Sequence, residues 1–158
     1  ARALVPAQDF ARARLEDRLG DAAAAIAVCE RIIAAHPDSG SALNLAGYLL
    51  ADGGTHLDQA EGYLRRAREL SPGDPAVLDS WGWLLLQLGK TDEAIRALDH
   101  AQRFAPREPE ILLHLATAWA ARHAPSTAEQ LLVRAAALHP PADVQHRIDD
   151  LRKALVIR

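Results

Sequence analysis

Apolar and polar positions along this chain recur with a helical period almost throughout. Between residues 75 and 108, Leu78, Trp81, Gly82 and Leu85 fall three or four residues apart and form one apolar stripe. Ala94, Leu98, Ala101 and Ala105 form a second. A stripe at that spacing lies on one face of an α-helix, so the segment predicts two amphipathic helices. Gly89 between them supplies the turn, and Pro106 stops the second helix.

The same pattern returns. Gly82, Ala94, Leu98, Ala101 and Pro106 have counterparts in Ala116, Ala128, Leu132, Ala135 and Pro140, all at one offset of 34 residues. One step earlier, Gly47, Ala60, Leu64, Ala67 and Pro72 take those places, with one extra residue inside the turn "ADGGTHLD". A further step reaches Ala13, Gly20, Ala25, Cys29, Ile32 and Pro37, where the second half fits better than the first. Four units result, at about 6–39, 40–74, 75–108 and 109–142, in a single domain spanning 1–158. Small residues at the crossings let paired helix axes approach to about 8 Å. A stacked repeat leaves an apolar end that needs a cover, and residues 142–156 predict one. There Val144, Ile148, Leu151 and Leu155 form a stripe, while Gln145, Arg147, Asp149, Asp150, Arg152 and Lys153 form a wet surface. At the other end, Arg12, Arg14, Glu16, Asp17 and Arg18 give the first helix a polar character.

A 34-residue period with small residues at its eighth, twentieth and twenty-seventh places and proline at its thirty-second resembles the tetratricopeptide repeat (TPR). The resemblance implies an all-α fold, a right-handed superhelix of helix-turn-helix units closed by a C-terminal capping helix. It also implies a concave groove, lined by the first helix of each unit, that holds an extended peptide or a helix of a partner protein. The family's groove positions fall on Ser41, Asn44, Tyr48 and Asp52 in the second unit, on Asp79, Ser80, Trp83 and Gln87 in the third, and on Glu110, His114 and Thr117 in the fourth. In the first unit they fall on Phe10, Arg14 and Arg18. The family's carboxylate clamp requires lysine, asparagine and arginine at particular groove positions; Asn44 is compatible with it, but no lysine accompanies it. The segment from Leu43 to Ile95 further resembles repeats near the C-termini of bacterial TPR proteins. That likeness implies a bacterial adaptor or scaffold, in the periplasm and envelope or in the cytoplasm.

Composition agrees with helix: hydrophobic residues make up 49% of the chain, alanine dominates them, and aromatics are 4%. A formal net charge of -3 gives no basic footprint for nucleic acid. No apolar run approaches the roughly 20 residues that cross a bilayer, so no direct membrane insertion by this segment is expected. The chain holds no methionine, even at position 1, which predicts that it was cut from a longer precursor or parent. Cys29 stands alone and occupies the place of Leu64, Leu98 and Leu132, so it reads as a small core hydrophobe.

The seven histidines form no metal-ligand spacing, and no nucleophile or phosphate-cradling motif occurs. His36, His100 and His139 lie near second-helix ends, where an imidazole meets the negative end of the helix dipole. The sequence therefore predicts no enzyme, no metal and no cofactor. What remains is the groove, and in it the pair of tryptophans in "LDSWGW". Two residues along a helix is about 200° of rotation, so Trp81 and Trp83 face opposite sides. Trp81 is expected to be buried between the paired helices, and Trp83 to face the groove beside Tyr48, about 10 Å away on the neighbouring first helix. The predicted partner-binding set is Asn44, Tyr48, Asp52, Asp79, Ser80, Trp83, Gln87, His114 and Thr117. Four first helices at about that spacing span roughly 30 Å, room for about nine extended residues. An alternative is a scaffold that self-assembles end to end, through Phe10 and the first helix or through the stripe of the cap, giving a homo-oligomer.

Overall fold

A computed structural model describes residues 7–156, and it contains nine α-helices and no strand among them. They are α1 (Ala7–Arg18), α2 (Ala22–Ala35), α3 (Gly40–Asp52), α4 (Leu57–Leu70), α5 (Pro75–Gln87), α6 (Thr91–Phe104), α7 (Pro109–Ala121), α8 (Pro125–Ala136) and α9 (Ala142–Val156). The predicted start of the first unit, near residue 6, lies outside the described residues. Consecutive helices pair as α1 with α2, α3 with α4, α5 with α6 and α7 with α8, and α9 packs on α7 and α8. First helices also touch first helices, α3 against α5 and α5 against α7, which makes them one continuous wall.

Local chemistry sets the boundaries. Asp21 caps α2 by accepting from the Ala24 N–H at 2.9 Å, and Asp74 caps α5 by accepting from the Ala76 N–H at 2.8 Å. Pro75, Pro109 and Pro125 occupy first-turn positions, where a missing N–H costs nothing. His36, Ser71 and Ala105 end α2, α4 and α6, each in a non-helical conformation imposed by the proline that follows. The fourth second helix ends differently from the sequence expectation. Helix α8 stops at Ala136, well before Pro140, and His139 turns the chain in a left-handed conformation at φ 54°.

The turn inside each pair needs one left-handed residue. Gly20, Gly54 and Gly89 supply it in the first three, with φ of 81°, 63° and 73°, and His123 holds the equivalent place at φ 61°. The extra residue of the second turn adds a further left-handed position, His56 at φ 51°.

The core repeats with the sequence. Ala25, Ala60, Ala94 and Ala128 are fully buried, as are Cys29, Leu64, Leu98 and Leu132 one turn on. Gly47 and Gly82 are where the paired helices come closest. A Cβ on Gly82 would lie 2.5 Å from Leu98 Cγ and 3.3 Å from the Leu98 backbone nitrogen, and one on Gly47 would meet Leu64 Cγ at 2.5 Å.

Candidate functional site

The first helices enclose a groove of about 610 Å³. Its walls come from the N-terminal halves of α3, α5 and α7, with α1 opposite: Phe10, Arg14 and Asp17 on one side, Ser41, Asn44 and Tyr48, then Ala76, Asp79 and Ser80, then Glu108, Glu110 and Ile111. Phe10 lines this groove and packs on the cluster of Ala13 and Val28, so it is not presented at the end of the stack.

Beyond the groove floor the wall holds a connected polar network. His114 is wholly buried, and its Nδ1 lies 2.9 and 3.0 Å from the two carboxylate oxygens of Asp79, which is itself buried. Arg147 of α9 reaches the other side of the ring, its Nη2 3.1 Å from His114 Nε2, and donates to Glu110 Oε1 at 2.9 Å. A guanidinium can only donate, so Nε2 accepts and the imidazole proton sits on Nδ1, pointing at Asp79. Tyr48 donates its hydroxyl to the same Glu110 oxygen at 3.4 Å, and Trp83 donates its indole N–H to Asp52 Oδ1 at 3.1 Å. The rings close ranks: His114 stacks on Trp83 at 4.3 Å between centroids and lies 6.0 Å from Tyr48.

Five of the predicted residues, Tyr48, Asp52, Asp79, Trp83 and His114, are therefore joined in one wall. The others are not. The Ser80 hydroxyl donates to Ala76 O at 2.9 Å and that of Thr117 to Leu113 O at 2.8 Å, so both are occupied by their own helices. Gln87 is exposed at the end of α5. Asn44 lines the groove, and its Oδ1 is buried without a hydrogen-bond partner among the described residues.

The two tryptophans differ from the sequence expectation. Trp83 is the buried one, at 9% exposure, because α7 brings His114 against its face. Trp81 is only half-buried, and the Arg68 guanidinium covers its ring at 4.4 Å from the centroid. Instead of a bare pair, Tyr48 and Trp83 are two rings with an imidazole against both. Arg147 also departs from its expected place on the wet face of the cap. It lies three residues after Val144, on the edge of the apolar stripe, and that spacing was the signal that it could turn inward.

Electrostatics inside the groove are unbalanced. Asp17, Asp74, Asp79, Glu108 and Glu110 face Arg14 as the one base among the described lining residues. Burial, and then the charge of Glu110, raise the Asp17 carboxyl above its ordinary range. Burial raises the Tyr48 phenol strongly, with Glu110 and Asp52 adding to the effect, so it stays a neutral donor. At Arg147, burial opposes the charge, but Tyr48 and Glu110 outweigh it and the guanidinium is held more firmly protonated. No group of three or more His, Cys, Asp or Glu residues that could hold a metal occurs among the described residues. None of the helices is long and apolar enough to cross a membrane.

Two family models described as "Tetratricopeptide repeat" match residues 10–75 and 75–118, and the chain belongs to that family. A curated relative, TPR repeat-containing protein PA4667 of Pseudomonas aeruginosa, is 37% identical over 106 residues, covering 67% of this chain and 18% of its own length. The chain thus spans less than a fifth of that relative. Among solved structures, the thermophilic TPR protein TTC0263 of Thermus thermophilus superposes with a TM-score of 0.82 at 18% identity, covering 94% of this chain and 81% of its own. A mutant O-GlcNAc transferase of Thermobaculum terrenum matches with a TM-score of 0.67 at 29% identity, over 71% of this chain and 21% of its own. MamA of Desulfovibrio magneticus matches with a TM-score of 0.66 at 18% identity, over 83% and 73% of the two chains.

Proposed function

We propose that this chain acts as an adaptor or scaffold by holding a segment of a partner protein, an extended peptide or a helix, in its concave groove. The domain would span 1–158, with repeats at about 6–39, 40–74, 75–108 and 109–142 and a cap at 142–156. The observation that carries the reading is Asn44. Its amide oxygen lies in the wall of a 610 Å³ groove with no donor among the described residues, and a turn of the half-buried amide would present it to an N–H brought by a ligand. Of the predicted binding set, Asn44, Tyr48, Asp79 and Ser80 line that groove; Trp83 and His114 stand behind them as the rigid backing.

A photo-crosslinking amino acid at Asn44 or Ala76, compared with one at exposed Arg96 on α6, tests it. Partner peptides identified by mass spectrometry should come from the two groove sites. Equal labelling from Arg96 would count against the groove.

A second reading, end-to-end assembly of copies, has its own observation. Leu15 and Leu19 at the N-terminal end are 52% and 72% exposed, large apolar side chains where another helix pair would stack. Sedimentation over a concentration series, with Leu15→Glu and Leu19→Glu, separates the two: a strict monomer rules assembly out.

A further inference from the structure

We propose that the groove selects a partner segment bearing arginine or lysine, its cations seated at Asp17 and Glu108 while its backbone N–H reaches Asn44. This rests on the groove reading and specifies the chemistry of its ligand.

Three independent features point the same way. The described lining has five carboxylates and one base; Asp79 is bonded to His114, Glu110 to Arg147, and Asp74 caps α5, which leaves Asp17 and Glu108 to repel an anionic segment and attract a cationic one. The protein already seats a guanidinium on this wall: Arg147 donates to Glu110 at 2.9 Å and is drawn further by the Asp52 carboxylate. That side chain demonstrates that a cation fits the surface without displacing the aromatic backing. Finally, the unpaired groups ask for donors. Asn44 Oδ1 is a buried acceptor, and the Asp17 carboxyl is destabilised as an anion by its burial and by Glu110 across from it. A ligand cation would relieve Asp17, whereas a neutral segment would satisfy Asn44 alone.

The test uses three labelled nonapeptides of alternating sequence, Ala-Arg, Ala-Gln and Ala-Glu, followed by fluorescence anisotropy. The Ala-Arg peptide should bind most tightly and weaken as salt rises from about 0.05 M to about 0.15 M. The variant Asp17→Asn, Glu108→Gln alters two groove carboxylates outside the His114 network and should weaken Ala-Arg binding about five- to tenfold. The variant Asp58→Asn, Glu93→Gln makes the same change of net charge on exposed positions of α4 and α6 and should leave it unchanged. Equal weakening in both variants would show attraction to net charge only and overturn the proposal. So would Ala-Gln or Ala-Glu binding as tightly as Ala-Arg, or no binding by any of the three. The groove reading fails separately, if crosslinks at Asn44 and Ala76 yield no partner. Crosslinks there to an acidic or uncharged segment would keep the groove and refute the cationic ligand.

Discussion

The His114 ring lies on the Trp83 indole with 26° between their planes, and the same imidazole faces the buried carboxylate of Asp79. Removing the ring alone strands that carboxylate. His114→Leu is expected to cost about 3–5 kcal/mol of stability, and the double change Asp79→Leu, His114→Leu considerably less than the sum of the two singles. Leucine stands singly at the equivalent places in neighbouring repeats, Leu113 for Asp79 and Leu45 for His114, so each position accepts an apolar side chain. Urea titration of the four proteins measures the coupling.

Two glycines in helices should respond oppositely to alanine. Gly82→Ala drives a Cβ into Leu98 and should destabilise by about 1–3 kcal/mol. Gly62 in α4 has nothing within 4 Å of the same added atom, so Gly62→Ala should stabilise by about 0.5–1 kcal/mol through helix propensity. Thermal melts of both variants check the contrast.

His123 carries a left-handed backbone at the turn position that glycine fills in the other three pairs. His123→Gly should therefore stabilise the fold by about 1 kcal/mol, read from the midpoint of denaturation.

Burial pushes the Cys29 thiol up to about 11 from 9.0. In the native protein it should resist alkylation at mildly alkaline pH and react once denaturant is added. Because the folded state keeps this proton and the unfolded state releases it first, the contribution of Cys29 to stability is intact below about 9 and falls as pH rises toward 11. Comparing the alkaline unfolding of wild type with Cys29→Ala isolates that slope.

Arg147 joins α9 to α7 through Glu110 and His114. Arg147→Met keeps much of the stem and deletes the charged bonds; a loss of about 1.5–3 kcal/mol is expected, with faster amide exchange concentrated in α9.

The architecture was legible because its determinants are local and repeated. The places of Gly47 and Gly82 against Leu64 and Leu98, and of the prolines after α2, α4 and α6, follow from spacing alone. The wall of the groove was legible only in its membership. Periodicity assigns Tyr48, Asp79, Trp83 and His114 to the inner face, but not which of them meet, since that depends on the rotation between successive helix pairs. The expectation of a buried Trp81 and a groove-facing Trp83 differs from the structure for this reason: the concave side crowds its residues between neighbouring first helices, and the other face leaves a rim for Arg68 to cover. Arg147 escaped notice because a long charged side chain at the edge of a stripe can turn either way.

The closing helix has a second consequence. By reaching from α9 to Glu110 and His114 of α7, Arg147 makes the helix after the fourth pair a building block of the interior face. The array is thus not freely modular at α9: a further helix pair in its place would take away a wall member and reshape the recognition surface two helices upstream.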